Sequence, residues 1–283
     1  MLGIIDVGGG MRGAFTAGIY DYFNDQNTQP FDYLIGVSAG SGNMVSYLAR
    51  QRGRNLRFYL EYAFRREYMS MHNMLRTGSY INLDYPYTFL SGPGGEDPVD
   101  LEAFNADTAR YEAVVTDAET GEAVYYGKEE LAEGNFDVIK GSCCVPGACR
   151  PYPVKGRPCF DGGVADPVPY KRALAQGCNR LVLLLTRPVS YLRPPLEHQE
   201  VMETALGRWP NTYSALLRRS IRYNRDVAVI QEMEREGRAL LVAPTDIGGM
   251  ATLTRDKEAV ERLYHMGYDE GPRIMEFIKA SRP

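Results

Sequence analysis

No stretch of this sequence stays apolar long enough to cross a bilayer as a helix. A spanning helix needs about 20 apolar residues, and the run RLVLLLT at 180–186 falls far short of that. An excess of positive charge is also missing. With 32 Lys and Arg against 36 Asp and Glu, the net charge is -4, which leaves no electrostatic footprint for nucleic acid. Cysteines number five, an odd count without a CxxC pair. They read as free thiols in a reducing compartment, not as a disulfide framework. Cys143, Cys144, Cys149 and Cys159 lack the spacing of a ligand set, so no metal is expected. The opening MLGIIDVGGG has neither the cationic start nor the long apolar segment of a signal peptide. The expected location is therefore cytoplasmic. No internal repeat or low-complexity tract is present.

What the chain does have is ample material for a core, with 44% hydrophobic and 11% aromatic residues. The length suits one large domain, or a domain with an appendage. LGIIDV, residues 2–7, is a short apolar run ending in glycines, and FDYLIGV, 31–37, is a second. Helical spacing follows each, over MRGAFTAGIYDYF and SGNMVSYLARQ. This β-α-β-α order implies a parallel sheet with helices outside it. Residues 54–75 read as a helix crowded with aromatics, and 86–100 as a long turn-rich loop. Two strands are expected about the turn at 119–122, a short helix over FDVIKGSCC, a helix over 169–176 and a buried strand over 180–186. Beyond about 195 the texture becomes charged and amphipathic. Helices are expected over 196–208 and 211–237, a strand at ALLVAP, then two helical segments over 255–280.

Two glycine-rich stretches carry chemistry. Gly36-Val37-Ser38-Ala39-Gly40 fits G-x-S-x-G between a strand and a helix, the context of a nucleophile elbow. DVGGGMRG fits G-x-G-x-x-G at Gly8, Gly10 and Gly13. A dinucleotide site would need an acid at the end of the second strand, where this chain has Ser38 on a sharp turn. The same loop geometry can instead serve as an oxyanion hole, because successive amides at a helix start converge on one point. The serine then needs a base. His72, His198 and His265, the three histidines, lie in surroundings that suit surface or packing roles. Asp161, in CFDGG, is placed to emerge from a strand end onto a tight turn.

Taken together, Gly8-Gly9-Gly10-Met11-Arg12-Gly13, Gly36-Val37-Ser38-Ala39-Gly40 and Asp161-Gly162-Gly163 resemble, in order, the three motifs of the patatin-like phospholipases. The resemblance covers about residues 3–190 and extends to a bacterial subgroup with an extra C-terminal region. It implies a three-layer α/β/α fold with a mostly parallel central sheet. A catalytic domain would span 1–190, and a mainly helical region, 191–283, would pack on it. It also implies a Ser38–Asp161 dyad without histidine, with oxyanion donors at Gly9, Gly10 and Met11. Gly8, Arg12, Gly13, Gly36, Gly40, Gly162 and Gly163 would support the motifs. The family's usual small residue before the proline is doubled here as Cys143-Cys144. No cofactor or metal is implied.

The expected activity is hydrolysis of lipid carboxylic esters, of phospholipase A or lysophospholipase type. The partner is a lipid or acyl-ester substrate, with a transient membrane-surface contact left open. Lipid class and oligomeric state are not legible. A nucleotide-binding oxidoreductase and a non-catalytic lipid-binding relative are the alternatives. Two finer features stay open. Residues 86–100 are a candidate lid, and Arg218, Arg222 and Arg225, with Arg219 beside them, are candidates to meet phosphate head groups or simply a solvated face.

Overall fold

The computed structural model describes residues 1–280. Its strands are β1 (Leu2–Asp6), β2 (Tyr33–Val37), β3 (Arg110–Asp117), β4 (Ala123–Gly127), β5 (Tyr152–Val154), β6 (Arg157–Asp161), β7 (Arg180–Leu184) and β8 (Ala239–Val242). They form one sheet in the order β5-β6-β3-β2-β1-β7-β8, with β4 also paired to β3. β3, β2, β1, β7 and β8 run parallel, while β4, β5 and β6 pair antiparallel.

The helices are α1 (Ala14–Asp25), α2 (Ala39–Leu48), α3 (Arg54–Leu60), α4 (Met71–Thr77), α5 (Leu101–Ala106), α6 (Asp137–Ser142), α7 (Tyr170–Ala175), α8 (Gln199–Ala205), α9 (Pro210–Arg235), α10 (Lys257–Asp269) and α11 (Gly271–Lys279). Side chains alternate between the two faces of the sheet, as the period of two requires. On one face Ile4, Leu34, Ala113 and Val182 pack with residues of α1, α2 and α10. On the other, Ile5, Ile35, Val114 and Leu183 pack with Tyr170 and Ala173 of α7 and with Tyr223, Val227 and Ile230 of α9. The result is helices on both faces of a mostly parallel sheet, as expected.

Three local readings change. The aromatic stretch 54–75 is not one helix. It breaks after α3 at Glu61 (φ -120°, ψ -64°) into a 3₁₀ turn at Tyr62–Phe64, and Met69 bridges to Ile81 before α4 begins. The break lets Phe58, Tyr59, Tyr62 and Tyr68 all line one cavity, which a straight helix would spread around its circumference. The segment 86–100 is not all loop, since Tyr85–Leu90 winds into a π-helical turn. It is also tied down. Arg54 donates to the Ser91 hydroxyl (2.7 Å) and to the carbonyl of Asp97 (2.8 Å), and Arg57 pairs with the Asp97 carboxylate. Finally, the strand at ALLVAP is part of the main sheet. As β8 it pairs in parallel with β7, Leu181 opposite Ala239 and Leu184 opposite Val242. None of the described helices is long and apolar enough to cross a membrane.

Candidate active site

Strand register assembles the site. β3 pairs with β2 as far as Val37↔Val114, and its next residue pairs with β6 as Val115↔Asp161. Consecutive residues of β3 therefore hold the end of β2 beside the end of β6. Ser38 leaves β2 at φ 54°, ψ -131° and begins α2. This left-handed conformation strains any residue but glycine. The turn can close because Gly36 and Gly40 carry no side chain. A Cβ on Gly36 would sit 2.5 Å from Cα of Ser41, and one on Gly40 2.5 Å from the Asp6 carboxyl carbon. The Ser38 amide donates to the Ser142 hydroxyl at 2.8 Å, and its carbonyl accepts from the Ser41 amide and hydroxyl.

Asp161 ends β6 and is 5% exposed. Its carboxylate accepts from the Gly163 amide at 2.8 Å, and its carbonyl accepts from the Thr116 hydroxyl at 2.8 Å. Burial raises the Asp161 pKa above the usual aspartate range. Arg219, the nearby Ser38 hydroxyl, the Gly163 amide and Arg193 oppose that rise. A carboxylate that is partly desolvated yet still ionised is a stronger base than one in water. Gly162 and Gly163 form the 3₁₀ turn after it.

The glycine loop lies alongside. Gly8, Gly9 and Gly10 have φ of 64°, 141° and 60°, which only glycine adopts without strain in succession. Gly10–Gly13 then forms a 3₁₀ turn leading into α1. The buried Asp6 carboxylate fixes the loop by accepting from the Gly8 amide at 2.9 Å, and the Thr186 hydroxyl donates to the Gly8 carbonyl. Arg12 is buried, its Nε donating to the Thr186 carbonyl at 3.2 Å. The Met11 amide, expected as an oxyanion donor, is engaged here. It donates to the carbonyl of Thr252 at 2.9 Å.

Two cavities meet at Ser38. One, of about 60 Å3, is rich in aromatics, lined by Phe58, Tyr59, Tyr68, Ile81, Tyr87 and Leu90, with Asn43, Asn55, Arg54 and Asp97 also on its wall. The other, of about 190 Å3, is lined by Gly8, Gly9, Gly10, Asp161 and four arginines: Arg12, Arg187, Arg193 and Arg219. Thr252 and Leu253 border both. The sequence pattern missed Arg187, Arg193 and Thr252, which reach the site only through the fold. Of the arginines singled out on α9, Arg218 is exposed, Arg222 donates to the carbonyls of Val164 and Ala165, and Arg225 pairs with Asp226. Their neighbour Arg219 is the one that faces the cavity.

The histidines stay away. His72, His198 and His265 are all exposed, and none lines either cavity at Ser38. Cys143 does lie beside Ser38 and Tyr87, but burial pushes its thiol up to about 12, so it stays protonated and poorly nucleophilic at neutral pH. Among the described residues, no cluster of three or more His, Cys, Asp or Glu side chains could hold a metal ion.

The chain is similar to YjjU, an uncharacterized protein of Escherichia coli strain K12, with 28% identity over 192 residues. That match covers 66% of this chain and 52% of YjjU, so the chain spans about half the length of this relative. Among solved structures it is similar to VipD from Legionella pneumophila, with a TM-score of 0.47 and 14% identity, covering 98% of this chain and 66% of that one. Residues 209–281 match a family described as a domain of unknown function. Residues 7–174, which run from the glycine loop after β1 into α7 and include the serine elbow and the Asp161 turn, match the family described as patatin-like phospholipase, and the chain belongs to that family.

Proposed function

We propose that the chain is a serine hydrolase of lipid carboxylic esters that works through a Ser38–Asp161 dyad. One observation carries the reading. A serine held at φ 54° on an elbow shares a cavity with a buried carboxylate of raised pKa, beside a loop of glycines. Membership of the patatin-like phospholipase family supports lipid ester hydrolysis as the chemistry.

Ser38 Oγ attacks the ester carbonyl carbon as its proton passes to the Asp161 carboxylate. The amides of Gly9 and Gly10 face the cavity and hold the oxygen that becomes negative. The Met11 amide joins them once the Thr252 carbonyl withdraws. Collapse of the intermediate breaks the ester bond, and Asp161 returns the proton to the leaving alkoxide. Asp161 then takes a proton from water, which attacks the acyl-enzyme, and gives that proton to Ser38 Oγ as the acyl bond breaks and the fatty acid leaves. The aromatic cavity suits the acyl chain, which would place the rest of the substrate toward the arginines.

The elbow serine, in place of an acid at the end of β2, weighs against a nucleotide-binding oxidoreductase. An intact dyad weighs against a purely lipid-binding role. A hydrolysis screen over phospholipid, lysophospholipid and neutral acylglycerols, with Ser38→Ala as control, tests the reading. Turnover that vanishes in the variant supports it, and equal turnover in both proteins contradicts it.

A further inference from the structure

Four guanidinium groups and one carboxylate line the larger cavity at Ser38. Arg12 spends its donors on backbone, at the carbonyls of Thr186 and Met250. The other three are different. Among the described residues, Arg187, Arg193 and Arg219 form no ion pair, and the buried Nε of each has no hydrogen-bond partner. The three side chains are half-buried, and an unsatisfied buried donor on each calls for an explanation.

These side chains are held in place. Arg187 stacks over the ring of Tyr191 at 4.4 Å, and Arg193 over Tyr223 at 4.9 Å. The backbone of Arg193 is clamped at both polar atoms by the Asn224 side chain, at 2.8 and 3.0 Å. Arg219 rises from α9 beside Gly163 and Asp161. The tyrosine faces fix the planes of the guanidinium groups and leave their donor edges unspent. Burial lowers the pKa of Arg12 and of Arg219, and neighbouring guanidinium groups add to it, Arg187 and Arg193 at Arg12 and Arg193 at Arg219.

Asp161 accounts for only one of these charges. Glu197 and His198 lie farther out, in the groove that Arg187, Arg193 and Arg219 also border, and no ion pair joins Glu197 to an arginine. The inner cavity is thus short of two or more negative charges. A phosphate monoester carries -1.5 to -2 near neutral pH and three acceptor oxygens, and arginine forks match those oxygens in pairs.

We propose that Arg187, Arg193 and Arg219, backed by Arg12, bind the phosphate of the substrate, so that the preferred substrates are acyl esters bearing a phosphomonoester headgroup. The proposal rests on reading Ser38 as the nucleophile. The ester is then spanned across Ser38, acyl chain among the aromatics and phosphate among the arginines.

The test compares lysophosphatidate with monoacylglycerol of the same chain length. The wild type, Arg187→Gln and Arg193→Gln are assayed for turnover. A non-hydrolysable ether analogue of lysophosphatidate is titrated into Ser38→Ala protein with and without the same changes. Arg219 is left alone because it acts most strongly on Asp161; Arg193 acts on it too, more weakly, so Arg187→Gln is the decisive variant and the ratio between the two esters is the readout. The preference for the phosphorylated ester is expected to fall at least tenfold in each variant, chiefly through KM. The Kd of the ether analogue should rise by a similar factor, and Arg193→Lys should recover part of both. An unchanged preference and an unchanged Kd would overturn the proposal. So would inorganic phosphate that binds as tightly as the lipid, since the site would then serve a free anion. If the ether analogue binds as expected but the wild type turns over no ester, the subsite stands and the nucleophile assignment fails.

Discussion

The amide of Met11 and the carbonyl of Thr252 are hydrogen-bonded at 2.9 Å, although 241 positions separate them in the chain. A residue of the C-terminal region thereby covers the glycine loop beside Ser38. Removing one oxyanion donor costs about 10²–10³ in rate, so if the Met11 amide is such a donor, as proposed, this contact holds back activity while it persists. Replacing residues 249–253 with a short Gly-Ser linker is expected to raise kcat/KM on a soluble short-chain ester about tenfold. Detergent micelles should activate the wild type more than the variant. Equal response to detergent, with no gain on the soluble ester, would show that the contact does not gate the site. A melting curve of the variant guards against simple unfolding, because Arg12 also bonds to Met250 in this segment.

The elbow should store measurable strain. Ser38 sits at φ 54°, where a residue with a Cβ carries about 1–3 kcal/mol of excess energy. Ser38→Gly is therefore expected to be about 1 kcal/mol more stable than Ser38→Ala, although both lack the nucleophile. Chemical denaturation of the two variants checks this.

Asp161 should set the acid side of the pH profile. Its pKa is raised, chiefly by burial, and the base must be ionised to accept the serine proton. The acid limb of kcat/KM is expected to lie above the ordinary aspartate value of about 3.9. Replacing His72, His198 and His265 together should leave that limb where it is. A limb that moves with the histidines would indicate a conventional triad.

Asp6 gives a stability signature. Burial raises its pKa from 3.8 to about 6, against opposing hydrogen bonds from Gly8, Thr16 and Tyr20. The folded state then binds the proton more tightly than the unfolded state, so its stability falls as pH rises through that window. A difference of two units is worth about 3 kcal/mol. Asp6→Asn, which keeps an acceptor for the Gly8 amide, is expected to gain about that much relative to wild type between pH 4 and pH 6, and no more above it. Parallel stability curves for the two proteins would contradict the assignment.

Much of this site is local and therefore legible in sequence. An elbow needs Gly36 and Gly40 at fixed offsets from Ser38, and a strand end that turns sharply favours Asp161-Gly162-Gly163. The alternation of apolar runs and helical spacing likewise gives the order of strands and helices. What the sequence does not carry is register. Only the handover of β3 from Val37↔Val114 to Val115↔Asp161 brings the two motifs together. Arg219 was legible only as the neighbour of an arginine face, for a different reason. Helical spacing draws attention to Arg218, Arg222 and Arg225 as one face, but α9 buries Leu216, Tyr223, Val227 and Ile230, and Arg219 lies on that stripe. An arginine in line with an apolar stripe was the available signal. Thr252 had none, since its backbone carbonyl does the work and any residue supplies one. The strand at ALLVAP was legible as a strand, but its place beside β7 depends on pairing that begins 58 positions earlier in the chain.

Covalent labelling bears most directly on the dyad. Wild type, Ser38→Ala, Asp161→Asn and the triple histidine variant would each be treated with a fluorophosphonate, and the modified peptide identified by mass spectrometry. The dyad requires a single label on Ser38 in the wild type, none in Ser38→Ala, labelling slowed at least a hundredfold in Asp161→Asn, and the wild-type rate in the histidine variant. Labelling that persists in Ser38→Ala, or that survives Asp161→Asn while dying with the histidines, would contradict it.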